Sequence, residues 1–342
     1  MAYIDIVRKI KKGHVASVYV LTGTEQYILE DTIHLIIKNT LADEEKEFNL
    51  STYDMKEYPI ELAVEEAYTF PFMGGKRVVI VKDAYFLTSQ KVSSKIEHNT
   101  KQLEGYLENP APETVLILLA PYEKLDERKK IVKLAKKAGE YVSGSALEEK
   151  DLKLWIMDRA RDNNVTIDDL AIEQLVLLTS AKLMILASEI KKLAIHVGDG
   201  GRITEEIVNE LVPRSLEQNI FSLVEGVVRR EISHSWAIFL DLIKQKEEPL
   251  KIIALMVRQF RILYQVKQLT LQGYSQKQIA GQLKLHPYVV KLAMGQAKQF
   301  NDDELLALLD ELANMDYEIK TGKIDKVLAV EIFFSKRAKI TN

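Results

Sequence analysis

"YVLTGTEQYILEDTI", residues 19–33, runs from a short apolar strand through a glycine into a helix. In a nucleotide-binding chain this unit would cradle phosphate. It would need a run of backbone N–H groups, a lysine for the phosphates and a hydroxyl for magnesium. Gly23 is present, but the G-x-x-x-x-G-K-[ST] spacing is not. Where the lysine and hydroxyl belong, the chain reads Gln26, Tyr27, Ile28 and Leu29, preceded by Glu25. Phosphate would meet a carboxylate. The supersecondary unit stands without its chemistry.

Outward from this stretch, the first 145 or so residues alternate strand and helix signals. Strands are read at "SVYVL" (17–21), "EFNLSTY" (47–53), "KRVVIV" (76–81), "TVLILLA" (114–120) and "EYVSG" (140–144). The near-continuous apolar runs Val78–Val81 and Val115–Ala120 suit strands buried on both faces. Helix signals lie between them, at 25–38 and in "DERKKIVKLAKKAG" (126–139). Such alternation predicts a parallel α/β sheet.

From residue 145 the strand signal disappears. Residues 148–211 read as a small helical unit, and Pro213 marks a second boundary. Helices are predicted beyond it at 216–231, 232–246, 249–272, 275–284, 287–299, 302–320 and 324–338. Pro249 opens one of them at a favoured first-turn position. Asn301 is read as an N-cap followed by three acids facing the positive end of the helix dipole.

At 342 residues, two or three domains are expected. There is no cysteine, which excludes disulfides, zinc ribbons and cysteine nucleophiles and suits a reducing cytosol. No signal peptide and no membrane span are visible. No two of the six histidines stand at metal-binding helical spacing, so a zinc site is not expected. Trp155 and Trp236 occupy apolar helix positions and read as core. The net charge of −3 hides an asymmetry: residues 251–300 hold eight Lys or Arg and no Asp or Glu. Two readings stand open for that stretch, a basic surface facing an acidic neighbour or one facing nucleic acid.

Three motifs need weighing. "YSQKQIAGQLKLHPYVVKLAM" (274–294) resembles a helix-turn-helix, although Pro287 and the lack of a turn glycine favour a helical hairpin in a larger bundle. Asp83 follows a buried strand, as a Walker B acid would, but Ala84 comes next, so it reads as a turn aspartate. "AYTFPFMGGKR" (67–77) strings Tyr68, Phe70, Phe72 and Met73 around a proline and two glycines. It is either local core or an exposed apolar plug for a partner's pocket.

Five segments together resemble a known family, the delta subunit of the bacterial DNA polymerase III clamp loader. They are "VYVLTGTEQYILED" (18–31), "PFMGGKRVVIVKDA" (71–84), "APYEKLDERKK" (120–130), "LEQNIFSLVEGV" (216–227) and "IKTGKID" (319–325). The resemblance implies an AAA+-like α/β domain with a degenerate phosphate loop at 1–145, a helical lid at 146–213 and a helical collar at 214–342. It implies a subunit that does not hydrolyse ATP, with no cofactor, metal or catalytic residue. Such a subunit binds and opens the ring-shaped sliding clamp, within a cytoplasmic heteropentamer containing delta prime and tau/gamma subunits.

By the same resemblance the clamp-binding element is Phe70, Pro71, Phe72 and Met73, with Phe72 foremost and Phe70 second. The family's usual leucine–phenylalanine pair is not matched letter for letter, since Pro71 stands in place of the leucine. The collar's inner surface would face primer–template DNA, and Lys320 and Lys323 at a helix–helix turn suit phosphate contact. No aromatic stands in that turn, and Tyr317 lies just upstream. The competing functions are an aberrant P-loop ATPase and a helix-turn-helix DNA-binding protein.

Overall fold

The computed structural model describes residues 3–72, 74–90 and 96–338. The chain divides into two compact units, one ending at Ala146 and one beginning at Leu147.

The first unit is built on five strands: β1 (Val18–Gly23), β2 (Leu50–Asp54), β3 (Arg77–Lys82), β4 (Thr114–Ala120) and β5 (Glu140–Gly144). They form one parallel sheet in the order β2-β3-β4-β1-β5. The three central strands are the apolar runs, buried on both faces, as all-parallel sheets require. Alternate residues divide the core. Val18, Val20, Val79, Val81, Leu116 and Leu118 meet the helices Ile60–Tyr68, Thr100–Glu108 and Lys130–Ala138. Helices Tyr3–Lys11 and Gln26–Thr40 pack together and reach β5. This is the α/β architecture expected of an AAA+-like core.

One strand is shorter than its sequence predicts. The run read as strand from 47 begins at Leu50, and Lys46–Asn49 instead forms a single helical turn. The cause is tertiary: the side chain of Asn49 is buried and bonded to the backbone of Phe72.

The second unit is helical apart from one feature absent from the sequence reading. Thr166–Ile167 and Arg202–Ile203 form a short parallel pair. Two residues are too few to generate a period-2 signal. Helices Glu149–Asp162, Asp169–Thr179, Leu183–Val197 and Glu205–Leu211 surround it. Among the described residues seven helices follow: Leu216–Val228, Ile232–Lys244, Pro249–Leu271, Gln276–Leu283, Pro287–Ala297, Asp302–Lys320 and Lys326–Ala338. They close on a core that includes Phe239, Phe260, Phe333, Met256 and Leu312. Pro249 sits in the first turn of its helix, and Asn301 forms a reciprocal capping box with Glu304. Trp155 is buried, and Trp236 stacks on Phe239 with ring centroids 5.4 Å apart. Among the described residues no helix is long and apolar enough to cross a membrane.

Candidate functional site

The turn after β1 is closed on itself. Gly23 pairs with Gly144 of β5, and its φ of +122° is open only to glycine. A Cβ at Gly23 would lie 2.2 Å from the Gly144 carbonyl oxygen. The Gly23 N–H donates to the Tyr122 carbonyl at 2.9 Å, and the Glu25 N–H donates to the Gly144 carbonyl at 2.8 Å. Two amides that a phosphate cradle would turn toward its ligand are thus consumed inside the protein. Ile28 and Leu29, in the place of the phosphate-binding lysine and magnesium-binding hydroxyl, are buried. Partial burial pushes the Glu25 carboxyl up, opposed by a hydrogen bond from the Tyr27 backbone. The glycine serves a close backbone approach between strands.

Asp83 is committed as well. Its two carboxylate oxygens take the Lys56 ammonium and the Tyr122 hydroxyl. The hydrogen bond and charge of Asp83 push the Lys56 ammonium up. Burial, reinforced by Asp83, pushes the Tyr122 phenol up. The residue follows β3 with φ +55°, a conformation aspartate tolerates in turns.

The aromatic segment between the helix Ile60–Tyr68 and β3 lies outside the core. Phe70 is 78% exposed and Phe72 56% exposed, and Pro71 between them is half-buried. Met73 lies outside the described residues. Tyr68 is exposed but rests edge-on against buried Tyr106, ring centroids 4.9 Å apart.

The backbone beneath these rings is tied down by polar groups. The Asn49 amide brackets Phe72, donating to its carbonyl and accepting from its N–H, both at 2.7 Å. Buried Arg77, the first residue of β3, donates to the Phe70 carbonyl at 3.3 Å and forms an ion pair with Glu66. Ser51 of β2 donates to the same Glu66 carboxylate at 3.1 Å. Phe48 joins the surface from the helical turn Lys46–Asn49. It is 53% exposed, and its ring centroid lies 5.4 Å from that of Phe72. Phe48, Asn49 and Arg77 were not readable as site residues, because two of them stand more than 20 positions before Phe72 and no periodicity links them.

The acid-free stretch 251–300 is partly neutralised within its own unit. Lys277 and Lys291 pair with Glu148 and Glu149 at 2.8 and 2.7 Å, and Lys267 pairs with Asp302 at 2.9 Å. The basic surface meets acidic neighbours at these three positions and at Lys251, which pairs with Glu247 at 2.9 Å; exposed pairs of this kind add little stability. The hairpin Gln276–Leu283 and Pro287–Ala297 buries Ile279 and Val290 in the bundle core. Lys291, on the helix that would enter a DNA groove, is the partner of Glu149.

At the other candidate, Lys320 ends its helix and pairs with Asp316 one turn back at 2.7 Å. Lys323 lies over the exposed Tyr317 ring, 5.1 Å from its centroid. Gly322, at φ +73°, makes the turn between them.

A parallel α/β unit with a closed turn after β1, an aromatic loop and a helical second unit define the AAA+-like fold class. Comparison with known proteins gives the family. The model of the DNA polymerase III delta subunit matches residues 19–144, and that of its C-terminal domain matches residues 217–337. The chain is 48% identical to DNA polymerase III subunit delta of Bacillus subtilis, covering 98% of this chain and 96% of that protein. It is 24% identical to the probable DNA polymerase III subunit delta of Aquifex aeolicus over 75% and 72% of the two chains. The solved structure of the Bacillus subtilis DNA clamp loader delta protein superposes with a TM-score of 0.81, covering 98% of this chain and 99% of that one. The protein belongs to the DNA polymerase III delta subunit family.

Proposed function

We propose that this subunit binds the ring-shaped sliding clamp through Phe70 and Phe72 and opens it for loading onto primed DNA, without hydrolysing ATP itself. The observation that carries the reading is a pair of exposed phenylalanines on a loop whose backbone is held by buried polar side chains. Exposed aromatic pairs on rigid backbone are typical interface anchors. Pro71 and Met73 belong to the same element. Residues 1–145 act as the clamp-binding domain, 146–213 as the lid and 214–342 as the collar that joins delta prime and tau/gamma subunits in a cytoplasmic pentamer. The direct test is surface plasmon resonance of the purified chain on immobilised sliding clamp. Saturable binding is expected, and no binding at micromolar concentration overturns the reading.

ATP is the business of other subunits in this reading. The closed turn at Gly23 lacks the lysine and hydroxyl that supply charge-assisted contacts to phosphate. Calorimetry of the isolated chain with Mg–ATP is expected to show no saturable binding. Micromolar affinity would revive the ATPase alternative.

Within the assembled loader, Lys320 and Lys323 contact DNA phosphates, which position the duplex without reading its sequence. Replacing both with Ala is expected to weaken DNA binding by the loader and to reduce its log–log salt slope by about 2. Clamp binding by the isolated subunit should not change. Tight, sequence-dependent duplex binding by the isolated chain would instead favour the helix-turn-helix reading.

A further inference from the structure

Phe70 and Phe72 gain little burial from their own side chains, so something else must fix the loop that carries them. At Phe72 it is one amide. The Asn49 side chain is fully buried, and it satisfies both the N–H and the C=O of Phe72, each at 2.7 Å. This is the pairing that a neighbouring strand would give, supplied here by a side chain that both donates and accepts. Gly74 leaves the space for it: a Cβ there would lie 2.4 Å from Glu45 Oε1 and 3.2 Å from Asn49 Nδ2.

Asn49 itself is held by the framework. It ends the helical turn Lys46–Asn49 and leads directly into β2, which is registered against β3 from Leu50 and Val78 onward. Phe72 is thereby tied to the sheet edge through β2, across 23 residues of sequence.

We propose that Asn49 is a positioning residue for clamp binding: its paired hydrogen bonds hold Phe72 in the docking conformation before the partner arrives. The proposal rests on the reading of Phe70 and Phe72 as clamp anchors. An aromatic on a free loop must be ordered as it docks, and that ordering opposes association. A loop already ordered avoids the cost. Asn49 reaches the clamp only through Phe72, since it has no exposed surface.

The test uses the full chain, purified sliding clamp and two variants. Asn49→Ala removes both hydrogen bonds. Asn49→Asp conserves volume and keeps an acceptor for the Phe72 N–H, but sets a carboxylate oxygen against the Phe72 carbonyl. Each is expected to lose about 10-fold in clamp affinity. In Asn49→Ala, hydrogen exchange at the Phe72 amide should accelerate while the β4 amides keep their protection. In a Phe72→Ala background, which retains Phe70, Asn49→Ala should cost little further affinity.

Wild-type affinity in Asn49→Ala, with faster exchange at Phe72, overturns the positioning role and leaves the plug standing. Equal losses in both backgrounds, or unfolding of both variants, make Asn49 a structural residue and also overturn it. An unchanged affinity in Phe72→Ala alone marks failure of the plug reading itself.

Discussion

Alanine at both Phe70 and Phe72 is expected to abolish clamp binding while the chain stays folded. The two rings are 78% and 56% exposed, so truncating them removes little buried area. Surface substitutions of this kind usually change stability by about 0.5 kcal/mol or less. At an interface, each buried aromatic anchor is worth roughly 2–4 kcal/mol, or about 30- to 1000-fold in affinity. The two losses together exceed what a binder of ordinary affinity can absorb. Phe72→Ala should be the more damaging single change. Phe72 is the ring whose backbone is bracketed on both sides, and it also touches Phe48. Surface plasmon resonance and a thermal melt of the same preparations check the two halves. A double variant that melts far below wild type places the cluster in the core. One that melts normally and still binds places the site elsewhere.

The second large effect is on stability. Gly23→Ala is expected to destabilise the first unit by about 3 kcal/mol or more, lowering its melting temperature by roughly 6–12 °C. The added methyl would sit 2.2 Å from a backbone oxygen of the paired strand, so no rotamer change relieves the clash. β1 and β5 would have to separate at the point where Gly23 and Gly144 are registered. The positive φ adds strain of its own. Gly75→Ala is the control, because a Cβ there meets nothing within 4 Å. It should melt close to wild type. Similar melting temperatures for Gly23→Ala and wild type would mean that the turn is not closed in this way.

Much of the architecture was legible in the chain itself. The apolar runs at 78–81 and 115–120 named the central strands, because burial on both faces leaves no polar alternation to misread. The seven helices after Pro213 were marked by 3.6-residue periodicity and by local stop and start signals such as Pro249 and the Asn301–Glu304 box. These are near-neighbour effects, written within a few residues of where they act. The aromatic segment was visible as composition, but its exposure was not. Core and plug were equally consistent with Tyr68, Phe70 and Phe72 around a proline.

What the chain determined by itself was therefore the order of the five sheet strands and of the seven helices after Pro213, and the absence of a phosphate-binding lysine and hydroxyl. The tertiary structure decided why the glycine persists without them, since Gly23 meets Gly144 only once β1 and β5 lie side by side. It also decided that residues 46–49 turn as a helix and that Asn49 reaches across to Phe72. Local propensity cannot encode a hydrogen bond between residues 49 and 72, because its geometry exists only after β2 and β3 have paired.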